Sequence, residues 1–428
     1  MSSFMNISDT AAPRIVIVGG GFGGLQLIKN LPQGKFQIVL IDKHNYHAFQ
    51  PLLYQVATAG LEPDSIAYPL RKIFKNRGDF FFRLAEVKSI DSDKKEIHTS
   101  LGTLGYDHLI LATGTVTNFF GNETIAAKSM GMKTVPEALN IRSLLLENFE
   151  AALITDDLKE RESLMNVVIV GAGPTGVELA GAIAELRAHV LPKDYPDLDF
   201  RRMSIHLVEG MGKVLPPMSD VSSRKAQDFL EELGVQVWLN TKVEGYDGRT
   251  ITTSGKPMLT QTLIWAAGVQ CKPPEGISGD DLVRGNRIRV NRFNQVEGKE
   301  GLYAIGDLAY METENFPKGH PQVAQPAIQQ GKLLAKNLNR MRTGQDMKPF
   351  EYTDLGSMAT IGRSKAVADL PKFKTQGFLA WLIWMFVHLM SLVGFRNRVV
   401  VFVNWTYNFF NYNRDIRLII RPFKNRGQ

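Results

Sequence analysis

Two stretches of this chain limit what it can fold into more than any others. "RIVIVGGGFGGLQLI" covers Arg14–Ile28, and "NVVIVGAGPTGVELA" covers Asn166–Ala180. Each begins as a continuous β-branched run, the pattern of a strand buried on both faces of a parallel sheet. Each continues into G-x-G-x-x-G, at Gly19, Gly21 and Gly24 and again at Gly171, Gly173 and Gly176, and then into an amphipathic helical pattern. The first glycine permits a tight turn, the second lets the backbone approach a pyrophosphate, and the third lets the helix pack closely on the strand. Phosphate charge then sits on the free N–H groups at the helix start.

The residues downstream of each motif turn two weak signals into a strong one. After the first comes "FQIVLIDK", a second strand ending in Asp42; after the second comes "SIHLVEG", ending in Glu209. An acid at this place accepts hydrogen bonds from a ribose hydroxyl pair. Gly176 to Glu209 is 33 residues, so "RAHVLPKDYPDLDFRR" reads as an inserted excursion after the helix. Later, "DHLILATG" ends at Gly114 and "TLIWAAG" at Gly268. Gly19 to Gly114 is 95 residues and Gly171 to Gly268 is 97, the spacing of an internal duplication. "TDDLKERES" (155–163) reads as a charged, solvated approach to the second copy.

"GLYAIGDLA" (301–309) then returns as an apolar strand ending in Gly306-Asp307. In this order the motifs resemble the two-dinucleotide-binding-domain flavoproteins, over about residues 14–335. The resemblance implies an α/β fold of two Rossmann-like dinucleotide-binding domains. The first binds FAD and is discontinuous; the second binds NADH and is inserted into it. Carried over residue by residue, it places FAD at Gly19, Gly21, Phe22, Gly23, Gly24, Asp42, Lys43, Gln50, Ala112, Thr113 and Gly114. It adds Val87 beside the adenine, Asp307 with Gly306 at the ribityl and phosphate portion, and Ala324 and Gln325. It places NADH at Gly171, Gly173, Pro174, Thr175, Gly176, Glu178, Glu209, Ala267 and Gly268.

Many relatives reduce a disulfide or use a Cys-x-x-Cys pair. Cys271 is the only cysteine here, which excludes that chemistry and any intramolecular disulfide. Two further stretches, "NYHAFQPLLYQVATAG" (45–60) and "AQPAIQQG" (324–331), resemble the type II, non-proton-pumping NADH:quinone oxidoreductases. That family carries Ala-Gln-x-Ala-x-Gln at its quinone site. Gln325 and Gln329 are i and i+4, so they share one face of the helix beginning there. That face can present two amides to a quinone, and the helix start offers partial positive charge to the flavin. Glu178 matches the family's acid at the nicotinamide–flavin junction. Two roles fit it: positioning the nicotinamide, or delivering a proton to the quinone. His44 and His47 lie near the flavin by order, but no His/Cys/Asp cluster has metal-ligand spacing, so no metal is expected.

The tail carries the chain's charge. From Pro371 onward there are nine bases (Lys372, Lys374, Arg396, Arg398, Arg414, Arg417, Arg421, Lys424 and Arg426) against Asp415, a net +8. Residues 1–370 therefore carry −1 of the total +7, which argues against a nucleic-acid site on the folded body. The tail also holds "FLAWLIWMFVHLMSLVG" (378–394) and three of the five tryptophans. At 17 residues the run is short for a bilayer span of about 20. On a helical wheel Trp381, Trp384, His388 and Ser391 form one stripe, and Leu379, Ile383, Phe386, Val387 and Met390 form the other. The expected arrangement is an amphipathic helix in the membrane plane, indoles at headgroup level, on anionic lipid. A single transmembrane helix and a buried homodimer interface are the competing readings.

The expected organisation is an FAD domain over 1–119 and 296–335, an NADH domain over 120–295, a connecting segment over 336–370 and a membrane-binding region over 371–428. The expected activity is hydride transfer from NADH to flavin N5, then passage of two electrons to a membrane quinone, ubiquinone or menaquinone. Glu209 should repel the 2′-phosphate of NADPH. No signal or transit pattern opens the chain, which favours the cytoplasmic face of a bacterial inner membrane. Two other readings remain: a soluble ferredoxin- or rubredoxin-type reductase, which has no use for the basic aromatic tail, and a nucleotide-binding membrane sensor that does not turn over.

Overall fold

The computed structural model describes residues 5–411 and 417–420. The chain divides into two compact units. One comprises residues 1–47, 68–116 and 269–354; the other comprises 48–67, 117–268 and 355–428.

The first unit is built on five parallel strands in the order Leu302–Ala304, His108–Leu111, Arg14–Val18, Gln37–Asp42 and Phe80–Leu84. Ile15, Val16 and Ile17 on the central strand are fully buried, as the β-branched run requires. The helix Phe22–Asn30 leaves the glycine motif and packs along the helix Ala324–Arg342. Two glycines make that approach close. A Cβ on Gly331 would stand 2.4 Å from the Gly23 carbonyl oxygen, and one on Gly23 would stand 3.0 Å from Ile305. A small antiparallel sheet, Val87–Asp91, Glu96–Thr99 and Gly102–Gly105, completes this half.

The second unit repeats the plan. Its parallel sheet runs Val235–Trp238, Ile205–Val208, Val167–Val170, Thr262–Trp265. The helix Pro174–His189 comes directly after its glycine motif, and the helix Val135–Leu153 starts at a capping box between Thr134 and Glu137. A three-stranded antiparallel sheet (Ser357–Ile361, Lys365–Asp369 and Lys374–Gly377) leads into two helices, Phe378–Ser391 and Phe395–Asn411.

Five details depart from the sequence reading. Residues 48–67, assigned to the FAD domain, fold with the second unit, because the helix Leu53–Ala57 buries Leu53, Tyr54 and Val56 among the helices Val135–Leu153 and Pro174–His189. Residues 269–295 fold with the first unit, where Cys271, Ile288 and Val290 enter its core. The boundary at 371 falls in the turn between two paired strands, since the bases begin there but the fold does not. The charged 155–163 stretch includes most of a helix, Leu158–Met165, capped by Asp157, rather than a plain linker. The inserted excursion starts later than expected: the helix continues to His189, and short helical turns come after it at Leu191–Asp194 and Phe200–Arg202.

The substitution Gly331→Ala tests the helix pairing. Alanine gains about 1 kcal/mol in helix propensity, but its methyl group meets a main-chain oxygen that cannot rotate away. The expected outcome is a net loss of about 1–2 kcal/mol, read as a lower midpoint in thermal unfolding. An unchanged or raised midpoint contradicts the packing described.

Candidate active site

In each unit the carboxyl ends of the strands gather one glycine loop and one acid. In the first, Gly19 lies at φ +109°, and a Cβ there would stand 2.3 Å from the Ala112 carbonyl oxygen. In the second, Gly171 lies at φ +102°, with the Ala266 and Ala267 backbone within 2.7 Å of the same position. These are conformations and contacts that only glycine accepts. The third glycines serve helix packing: a Cβ on Gly24 would stand 2.1 Å from Gly19 O, and one on Gly176 would stand 1.9 Å from Gly171 O. The middle glycines differ. A Cβ on Gly21 or Gly173 would meet nothing within 4 Å, because each edges open space at a helix start.

The acids are anchored alike. Asp42 accepts from Gly20 N at 2.6 Å and from His44 N at 2.7 Å. Glu209 accepts from Ala172 N at 2.7 Å and from Met211 N at 2.9 Å. Each carboxylate thus bridges the residue after the first glycine to the residue two positions beyond itself. Neither helix start, Gly21–Phe22 or Gly173–Pro174, has a side-chain cap. The main-chain N–H groups of these helix starts and the open space beside the middle glycine form a cradle of the size and polarity a pyrophosphate takes. On this geometry both sites fit a dinucleotide.

Other expected flavin residues fall at the same sheet edge. Gly114 is in the left-handed region at φ +68°. Ala85 N donates to Asp42 O at 3.0 Å, which brings the Val87 strand to the acid's end of the sheet. Asp307 lies in a short turn after the strand Leu302–Ala304, and Thr115 donates to its carboxylate at 3.1 Å. Lys43 is exposed just past Asp42, and Phe22 is half-buried. Gln50 is exposed in a turn that folds with the second unit. Sequence reasoning missed Thr115 and Gln330. The Gln330 side chain is buried and accepts from Gly306 N at 2.7 Å, tying the helix Ala324–Arg342 to the Gly-Asp turn. A polar residue on the helix face shared with Ala327 and Leu334 was the available signal. Cys271 places its thiol 3.4 Å from the Asp307 carbonyl.

The two amides expected at the quinone do share a face, but a chain segment partly covers it. Tyr352 donates to Gln325 at 3.2 Å. Gln329 donates to Thr353 O at 2.8 Å and accepts from Thr353 N at 3.0 Å, engaging both ends of its amide. Gln329 therefore fastens residue 353 to the helix, with both ends of its amide bonded within the chain.

Glu178 lies on the helix Pro174–His189 and is buried among groups of the second unit. Thr360 N approaches its carboxyl at 3.5 Å, and the Trp384 indole stands beside it. Burial, only partly offset by the Thr360 N–H and the nearby indole, raises its pKa to about 8. A carboxyl in this state holds a proton at neutral pH.

The tail helices bury two of their tryptophans instead of displaying them. Trp384 is 1% exposed and Trp405 8%, and Trp405 donates to Gln55 at 2.7 Å. An indole is the largest apolar group available, and the Trp405 N–H finds its partner inside. The solvent side is Leu379, Leu382, Phe386, Val387 and Met390 on one helix and Val399, Phe402, Val403 and Phe410 on the other. Of the expected aliphatic stripe, Leu379, Phe386, Val387 and Met390 are exposed and Ile383 is half-buried, while the indoles Trp384 and Trp405 are buried. No described helix is long and apolar enough to cross a membrane. Of the tail bases, Arg414, Arg421, Lys424 and Arg426 lie outside the described residues.

Residues 13–331 match the pyridine nucleotide-disulphide oxidoreductase family, and residues 355–415 match the NDH2 C-terminal domain. The type II NADH:quinone oxidoreductase NdhA of Mycobacterium tuberculosis is 38% identical, over 92% of this chain and 87% of its own length. A second Mycobacterium tuberculosis relative, the type II NADH:quinone oxidoreductase Ndh, is 35% identical over 94% of this chain and 89% of its own. In fold, the chain matches the structure of NDH2 from Plasmodium falciparum in complex with NADH at a TM-score of 0.88. That match covers 96% of this chain and 100% of the other at 22% identity. Two anchored glycine loops in one chain, a matching C-terminal domain and these relatives lead to one assignment: the chain belongs to the type II NADH:quinone oxidoreductases.

Proposed function

We infer that the chain oxidises NADH and reduces a membrane quinone through FAD, as a peripheral membrane enzyme of the non-pumping type. The observation that carries this is the repeated cradle, two glycine loops each braced by its own acid. Bound FAD supplies the two-electron relay between nicotinamide and quinone; the protein binds, orients and tunes. Gly19, Gly21, Gly24 and Asp42 hold FAD, with Asp307 and Thr115 at the other end of the sheet edge. Gly171, Gly173, Gly176 and Glu209 hold NADH. Gln325 is the quinone amide in this reading, and Gln329 supports it by holding residue 353 in place.

Glu178 holds a proton at pH 7, which favours proton delivery over nicotinamide positioning among its two candidate roles. The exposed apolar face of the tail helices is the membrane-contacting surface, and the +8 charge of residues 371–428 supports anionic lipid as its partner. The cytoplasmic face of a bacterial inner membrane belongs to the same reading.

Three experiments test it. Converting Phe386 and Phe402 to Asp together should abolish sedimentation with phosphatidylglycerol vesicles and lower turnover with a long-chain quinone in those vesicles at least about ten-fold, while turnover with a water-soluble short-chain quinone persists. Equal loss with both acceptors contradicts a membrane role for that face. Glu209→Ala exposes the Ala172 and Met211 N–H groups and removes a negative charge. The NADH-to-NADPH ratio of kcat/KM should fall at least about ten-fold, and an unchanged ratio counts against the ribose assignment.

The third is a pH titration of stability. The folded protein holds the Glu178 proton up to about pH 8, whereas an unperturbed Glu releases it near 4.5. This group's contribution is therefore full below 4.5 and is lost as pH rises towards 8. Glu178→Gln has no such loss, so its stability relative to wild type should climb across that window, reaching on the order of 3 kcal/mol near pH 7. A difference that does not change with pH, in urea unfolding monitored from pH 4.5 to 8.5, contradicts the buried neutral carboxyl.

A further inference from the structure

The two halves secure their glycine loops by different means, and the difference concerns His47. In both, the N–H after the first motif glycine donates to the acid: Gly20 to Asp42, Ala172 to Glu209. The carbonyl of that same residue is also held in both. Ala172 O accepts from the main-chain N–H of Leu215 at 2.7 Å, with Leu215 in the left-handed region at φ +47°. Gly20 O is met instead by a side chain, Nδ1 of His47, at 2.9 Å. Burial lowers the ring's pKa to about 4, so it is neutral at pH 7; a carbonyl only accepts, so Nδ1 carries the single hydrogen and Nε2 is a bare acceptor. The ring is 2% exposed and lies edge-on to Phe22, with ring centres 5.2 Å apart. Nε2 is buried and has no partner among the described residues, the situation of a group that a bound molecule or an ordered water satisfies.

The loops themselves explain why one needs a side chain. The second reads Gly171-Ala-Gly-Pro-Thr-Gly176, with a residue that restricts rotation at Ala172 and another at Pro174. The first reads Gly19-Gly-Gly-Phe-Gly-Gly24, with three consecutive glycines where the pyrophosphate cradle forms. Such a run has the greatest backbone freedom to lose. A hydrogen bond at only one end of Gly20 leaves the Gly20–Gly21 peptide free to rotate; bonds at both ends fix its plane.

We propose that His47 is a flavin-positioning residue: its Nδ1–H locks the Gly20–Gly21 peptide so that the N–H groups starting the helix Phe22–Asn30 stay turned toward the pyrophosphate of FAD. The proposal rests on the assignment of FAD to the first unit.

The test compares His47→Ala, His47→Leu and His47→Asn with wild type in the full-length holoprotein. Leucine fills much of the ring's space without a donor, and asparagine places an N–H near the Nδ1 position. Bound FAD per chain and its dissociation constant are read from fluorescence on release, and NAD⁺ affinity is measured in parallel as a control on the second loop. His47→Ala and His47→Leu should weaken FAD about ten-fold or more, the effect of losing a buried hydrogen bond. His47→Asn should stay within about three-fold of wild type, and NAD⁺ affinity should not move in any variant. Retention of FAD by both donor-less variants, failure of His47→Asn to the same degree, or a parallel loss of NAD⁺ affinity each overturns the proposal. Wild-type protein that takes up no FAD overturns the assignment of the first unit instead.

Discussion

A carboxylate bridging two main-chain N–H groups is the interaction on which the rest of this structure depends. It occurs once in each half, at Asp42 and at Glu209, in the same register relative to its glycine loop. The bridge ties the end of the second strand to the turn after the first. It thereby sets where the helix N-terminus points and turns its N–H groups toward a ligand. Charge-assisted bonds of this length are the stronger class of hydrogen bond, which suits a loop that glycine makes intrinsically loose. The chemistry the family performs needs two nucleotide cradles, and the chain makes them by repeating one solution.

Around the second cradle the fold keeps a carboxyl in a low-dielectric site. Glu178 is buried on the helix that starts at the second glycine loop, and its surroundings come from elements distant in the chain, Thr360 on an antiparallel strand and Trp384 on a tail helix. Packing the Trp384 and Trp405 indoles inward does two things at once. The Trp384 indole covers the carboxyl, and turning both indoles inward leaves aliphatic and phenyl side chains as the tail's outer face. The C-terminal region is thus part of the second unit's core as well as its apolar surface.

Much of this was legible in the sequence because it is local. Glycine spacing, β-branched runs and the acid after the second strand are short-range patterns, and all of them lie where the pattern put them. The i, i+4 placement of Gln325 and Gln329 on one helix face was legible for the same reason. What Gln329 bonds was not, because Thr353 is supplied by a segment with no periodic pattern of its own. The same holds for residues 48–67, whose sequence reads as a continuation of the first unit but whose apolar side chains are buried in the second. Charge misled at 371: the tail's bases begin just past it, but the position lies in the turn between two paired strands. The tryptophans were misplaced because a helical wheel separates two faces without saying which one the protein covers.

In the proposed reaction NADH and a quinone exchange electrons across one flavin held by this chain. Anaerobic stopped-flow absorbance near the flavin maximum tests it most directly. Mixing the holoprotein with NADH should bleach the flavin, and a second mix with a short-chain quinone should restore the colour in one turnover. A flavin that NADH does not bleach, or that stays bleached when quinone is added, contradicts the account.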